Sequence, residues 1–188
     1  ERRTGARPDI DTVPLDDPAV FELLRRGDSI GVFQLEGDGM RSTMRRLAPT
    51  TFSDIGALVA LYRPGPMGMK AHNAYADRKN GRAPVTFEHP DLEEILGETY
   101  GLMIYQEDVM RVATVIAGYS MSAADDLRKA CAKKNQELLL KHRETFVGGA
   151  EASGYGADLG TRLYEQILPF AEYAFNKSHA IVYAAIAY

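Results

Sequence analysis

One cysteine, Cys131, stands in a chain of 188 residues. A single thiol excludes an intrachain disulfide framework and a cysteine-cluster zinc site. No apolar run reaches the ~18 residues that a membrane-spanning helix needs. Positive charge is also short: 22 Lys and Arg face 26 Asp and Glu, for a formal net charge of -4. Without a global basic field, any site for a polyanion must be a local patch. The sequence has no Gly-rich phosphate loop and no Ser–His–Asp spacing, and His72, His89 and His142 show no metal-ligand spacing. Asp9 with Asp11 and Asp16 with Asp17 are close pairs, but they read as turn and cap residues in a polar leader rather than as a two-metal site. There is no internal repeat or low-complexity tract. Residues 1–17 are charged and proline-bearing, with no signal-peptide pattern, and the composition fits the cytoplasm. The chain starts without Met and stops inside an apolar run at Tyr188, which leads us to expect a piece of a longer protein.

The sequence does contain a succession of helices. Asp17-Pro18 is an N-cap with proline at the first helical position, and Gly27 closes that helix. Ile30 to Leu35 is rich in β-branched and aromatic residues and predicts a short strand. A turn at Gly37-Asp38-Gly39 leads to a basic helix from Met40 to Leu47 carrying Arg41, Arg45 and Arg46. Thr51-x-x-Asp54 opens the next helix, which the prolines after Arg63 end. Helices are predicted over residues 69–79 and 90–96, and a second short strand over 101–105. Gln106 to Ala117, Ser122 to Ala132 with a Ser122-x-x-Asp125 box, Asn135 to about Ala152 and Asp158 to Tyr173 complete a mainly α, irregular multi-helix domain with a few short strands. Pro169 predicts a kink or break in the last of these.

Phe175-Asn176-Lys177-Ser178-His179-Ala180 precedes an apolar run that reads as a buried helix, with Asn176 or Ser178 as its N-cap. Free N–H groups and partial positive charge at a helix start, joined by these side chains, suit a phosphate. The alternative is an ordinary helix start with Lys177 in solvent and His179 in the core. A second basic cluster is Arg128, Lys129, Lys133 and Lys134. It reads either as a phosphate clamp or as solvated cations with Asp125 and Lys129 paired at i, i+4. Arg41 and Arg45, one turn apart, could track a nucleic-acid backbone, and Arg63 sits beside the rigid Pro64-Gly65-Pro66 loop. Tyr62 and Tyr105 read as core residues before base-stacking ones.

Taken in order, these segments resemble the C-family bacterial replicative DNA polymerases, the polymerase III alpha subunits. The resemblance is carried by Gly31-Val32-Phe33-Gln34-Leu35-Glu36, Ala57 to Pro66, Thr99-Tyr100-Gly101, Tyr105 to Met110, Leu127 to Lys134 and Phe175 to Ala180. It implies that residues 1–28 are the end of the palm and a linker, and that 29–188 are the fingers, truncated at the C-terminus. It further implies that Arg128 and Lys129, with Asn176, Ser178 and His179, meet the triphosphate of an incoming dNTP. Arg41, Arg45, Arg63, Lys133, Lys134 and Lys177 are then further contacts to DNA or phosphate. The implied Mg2+ ions belong to palm aspartates outside this segment, so the segment alone carries no catalytic residue and no metal. Primer-template DNA is the implied partner, with the sliding clamp and other replicase subunits joining in the full-length protein. Ala132 stands where the family usually has Gly, and Asn135 where it has a third lysine; Gly37, Glu172 and Ala174 also depart from the pattern. Two alternatives stand beside this reading: a non-catalytic helical domain binding nucleic acid through the Arg41 patch, and the fingers of an error-prone translesion paralogue.

Overall fold

The computed structural model describes residues 12–133 and 135–188, and among them the architecture is helical. Helix α1 (Pro18–Arg26) starts where the Asp17 carboxylate accepts the Ala19 N–H at 2.8 Å and stops at left-handed Gly27. The segment Ile30–Leu35 is not a strand. Gly31 and Gln34 both adopt positive φ, and the chain folds into successive turns closed by Val32 N–H to Ser29 C=O and Leu35 N–H to Val32 C=O. The buried Ser29 hydroxyl donates to Leu35 C=O at 2.7 Å and fastens the loop. β-Propensity cannot make a strand without a neighbouring ladder to receive it.

Helices α2 (Asp38–Leu47) and α3 (Phe52–Leu61) each pack against α5 (Ala71–Lys79). The Thr51–Asp54 capping box is present at the start of α3. The prolines that end α3 do not leave a loop: Pro64–Gly68 forms the one-turn helix α4, with Pro64 at the first helical position, where its missing N–H costs nothing. The Asp54 carboxylate also accepts the Thr50 and Thr51 N–H groups and the Tyr75 hydroxyl, and it pairs with Lys79 at 3.4 Å.

After α6 (Leu92–Leu96) and a 3-10 turn at Gly97–Thr99, residues 102–104 run extended. The predicted second strand reduces to a single parallel bridge between Tyr105 and Phe175, since no further strand lies beside it among the described residues. Helices α7 (Gln106–Ala117), α8 (Met121–Ala132), α9 (Gln136–Ala152) and α10 (Ala157–Tyr173) follow. The cap of α8 is Ser120, whose hydroxyl accepts the Ala123 N–H at 3.2 Å, not Ser122; Asp125 is turned to two cations instead. Asn135 caps α9 by accepting the Leu138 N–H at 3.1 Å, a role that lysine could not fill. Helix α10 continues through Pro169 to Tyr173.

Two apolar cores result. One gathers Phe21, Leu35, Met44, Ile55 and Leu58 with Ala180 and Ala184 of α11 (Lys177–Ala187). The other gathers Val112, Ile116, Leu127, Phe146, Leu163 and Ile167 from α7 to α10. Close approaches need small residues. A Cβ on Gly149 would meet the Ala117 carbonyl oxygen at 2.2 Å, where α9 crosses the end of α7. Gly56 lets α3 meet Ile181 of α11. Helix α11 is buried on that side, whereas Val182 and Ile186 are more than half exposed, because an apolar face is covered only where a neighbour meets it. Among the described residues no helix is long and apolar enough to cross a membrane.

Candidate functional site

The bridge at Phe175 fixes where α11 begins. Gln106 N–H donates to Phe175 C=O at 3.0 Å and Phe175 N–H to Ile104 C=O at 3.1 Å, so the start of α11 lies against the start of α7. Asn176 is the N-cap, its side-chain oxygen accepting the His179 N–H at 2.8 Å. Its amide nitrogen donates to Glu107 at 3.0 Å, and the Lys177 N–H donates to the other Glu107 oxygen at 2.9 Å. The Lys177 ammonium pairs with Glu98 at 2.8 Å and lies 5.5 Å from the Tyr105 ring centre. That ammonium, by its hydrogen bond and its charge, holds the Glu98 carboxyl below its ordinary pKa. Ser178 and His179 are exposed.

From this start runs a series of rings. The Arg63 guanidinium lies 4.7 Å from the Phe175 ring centre and donates to Tyr173 C=O at 3.3 Å. Phe175 meets His179 edge-on at 5.1 Å, His179 stacks on Tyr183 at 4.2 Å, and Tyr183 reaches Phe33 at 5.2 Å. Arg63, Phe175, His179 and Tyr183 wall a cavity of about 440 Å³ with Gln34 and Tyr62. Sequence reasoning missed Phe33 and Tyr183 as members of this site. The repeat of rings at 175, 179 and 183, four residues apart, was the available signal. Tyr105 is buried, as its core assignment requires.

The second cluster hangs from α8. Arg128 and Lys129 share one carboxylate: the Arg128 guanidinium reaches Asp125 at 2.7 Å and the Lys129 ammonium reaches it at 2.7 Å. The hydrogen bonds from these two cations hold the Asp125 carboxyl below its ordinary range. Arg128 also extends to the Gln106 side-chain oxygen at 3.5 Å. The first turn of α7 is thus where the two clusters meet, Gln106 facing Arg128 and Glu107 holding Asn176 and Lys177. Lys129 and Lys133 line a different cavity from His179. Lys134 lies outside the described residues.

Arg41 donates to Gly27 C=O at 2.7 Å and thereby ties α2 to the end of α1; it also approaches Asp38 at 3.6 Å. The Arg45 side chain covers Gly27, where a Cβ would meet its guanidinium at 2.6 Å. Arg46 is paired with Asp77 at 2.9 Å. Cys131 is buried, and burial pushes its thiol up to about 11. Among the described residues no three His, Cys, Asp or Glu side chains converge on one point.

Residues 1–154 match the family model described as the bacterial DNA polymerase III alpha subunit finger domain. The chain is 56% identical over 188 residues to a DNA polymerase III subunit alpha of Mycobacterium leprae, covering 98% of this chain and 16% of that protein. It is 55% identical over 188 residues to the protein of the same name in Mycobacterium tuberculosis, with the same coverage. Its identity to that of Staphylococcus epidermidis is 47% over 180 residues, covering 96% of this chain and 17% of that protein. The chain therefore spans about a sixth of the length of the curated relatives it matches.

Proposed function

Because the chain belongs to the finger-domain family of the bacterial DNA polymerase III alpha subunits, we propose that it forms the fingers of a DNA-directed DNA polymerase. In that reading, residues 1–28 lead out of the palm and 29–188 are the fingers. Arg128, Lys129, Asn176, Ser178 and His179 bind the triphosphate of the incoming dNTP. Arg41, Arg45, Arg63, Lys133, Lys134 and Lys177 contact the primer-template or its phosphates. Mg2+ is held by acidic residues elsewhere in the longer chain, which works in the cytoplasm with the sliding clamp and other replicase subunits.

The observation that carries this reading is the approach of Arg128 and of the α11 start to the first turn of α7, at the adjacent residues Gln106 and Glu107. A guanidinium offers two donors to one phosphate, an ammonium offers a point charge, and the α11 start offers backbone N–H groups. Set at fixed positions, such donors align a triphosphate and offset its charge without reorganising. The rings of His179 and Tyr183, stacked on each other, line a cavity beside the α11 start where a base could be received.

The test is steady-state kinetics of the full polymerase with varied nucleotide. A charge-assisted hydrogen bond contributes about 1.5–3 kcal/mol, so Arg128→Ala should lower kcat/KM for nucleotide roughly 10- to 100-fold, with a smaller effect on DNA affinity. His179→Ala should act in the same direction. An unchanged KM and kcat for both variants would refute the assignment.

A further inference from the structure

Between α8 and α9 lies a cavity of about 430 Å³, within the ~300–1,000 Å³ of common ligand sites. Lys129 and Lys133, one turn apart on the end of α8, face it from one side, and Lys141 and His142 face it from α9. Its apolar wall is Tyr119, Ala123, Ala130 and Leu138. Asp126 is the one acid among the lining residues, in a chain where acids outnumber bases overall. Lys129 is neutralised by Asp125, but neither Lys133 nor Lys141 has an ion-pair partner among the described residues. His142 faces the Tyr119 hydroxyl at 3.3 Å, and burial holds its imidazole below the ordinary pKa, so it presents a neutral ring at pH 7.

We propose that this cavity binds the backbone of a single-stranded polynucleotide, with phosphates at Lys133 and Lys141 and a base or sugar against the apolar wall. A cationic rim over an apolar, ring-bearing floor is the chemistry that single strands select. A duplex offers phosphates alone, its bases being stacked and paired, and would leave the wall unused. A divalent cation is excluded by the lysines, and an acidic peptide would leave the apolar floor uncovered. The ligand class and the role of Lys133 rest on the polymerase reading above, whereas Lys141 and His142 of α9 are residues which that reading does not use.

The experiment uses the full polymerase without nucleotide and measures Kd for a fluorescent oligodeoxythymidylate and for a blunt duplex across a salt series. Lys141 is exposed, so its replacement leaves the fold intact. Each lost phosphate contact on a single strand lowers the slope of log K against log salt by about 0.7. Lys141→Ala should show that loss and a several-fold weaker Kd for the oligonucleotide, with a smaller change for the duplex. Lys141→Arg should bind as the parent does, and Lys141→Glu should bind worse than Lys141→Ala. An unchanged slope and Kd would overturn the site, and so would equal losses for both nucleic acids. A raised nucleotide KM with intact oligonucleotide affinity would assign the cavity to the nucleotide instead and also overturn it. If Arg128→Ala impairs nucleotide use while Lys141→Ala does nothing, this site alone fails. If the reverse holds, the triphosphate assignment alone fails.

Discussion

Asn176 does two separate jobs, and substitution can pull them apart. Its side-chain oxygen caps α11 through the His179 N–H at 2.8 Å, and its amide nitrogen reaches Glu107 at 3.0 Å. Asn176→Ala removes both. Loss of an N-cap costs about 1 kcal/mol, and loss of an exposed contact to a carboxylate adds about 0.5–1 kcal/mol. The first turn of α11 should then open roughly tenfold more often, since ~1.4 kcal/mol is a factor of ten in an equilibrium. Asn176→Ser restores the cap acceptor but not the amide nitrogen that reaches Glu107, so it should recover about 1 kcal/mol of the loss. Amide hydrogen exchange at His179 reads the opening directly: faster by about an order of magnitude in the alanine variant and within a few-fold of the parent in the serine variant. Nucleotide kinetics read the amide NH2, which both variants lack, the serine hydroxyl being shorter and committed to the cap. If the amide meets a phosphate, both should lose kcat/KM, and alanine should lose more because its helix start is also less ordered. Equal His179 exchange in Asn176→Ala and the parent would refute the capping argument. Full nucleotide use by Asn176→Ser would refute the donor role.

Two predictions concern the scaffold beneath the site. Lys79 and Asp54 form a buried pair, with side chains 5% and 2% exposed, and Lys79 also donates to Ala48 C=O at 2.9 Å. Lys79→Met strands the Asp54 charge and should cost about 3–5 kcal/mol in denaturant unfolding; a loss below about 1 kcal/mol would show that water screens the pair. Asp108 accepts the Ile104 and Tyr105 N–H groups from a buried position, and burial pushes its carboxyl from 3.8 up to about 6 despite those bonds. The folded state therefore holds this proton better than the unfolded state does. The associated stability is fully present below pH 3.8 and is lost as pH rises through 6, by about 3 kcal/mol. Other carboxylates slope the opposite way, so the readout is the difference between parent and Asp108→Asn in unfolding free energy at several pH values. A difference that does not change with pH would rule out the shifted carboxyl.

Much of the helix layout is local chemistry and could be read as such. Asp17-Pro18 with Gly27, and Thr51 with Asp54, satisfy their own helix ends with residues two to four positions away. The failures share a cause, which is that a competing partner, near or far, decides between local options. Ser120 and Ser122 can each cap a helix start, and the spacing to Asp125 favours Ser122. Arg128 and Lys129 take that carboxylate, and Ser120 caps. Ile30 to Leu35 has strand composition but no partner, while Gly31 and Gln34 adopt turn geometry. The capture of the α11 start by Glu107, seventy residues earlier in the chain, leaves no periodic trace in the sequence. Asn176 as a cap was legible because capping reaches only to His179.

The donors gathered around the start of α7 already hold carboxylates of their own chain: Asp125 on Arg128 and Lys129, Glu107 on Asn176 and the Lys177 N–H, Glu98 on the Lys177 ammonium. An incoming anion therefore swaps places with a resident one, and only the difference between the two partnerships favours its binding. A tethered carboxylate returns at once when its rival leaves. A monoanion gains little from such a swap, whereas a group bearing several negative charges can displace all three acids together. Under the proposed triphosphate reading, selectivity for highly charged ligands is set by the acids as much as by the bases.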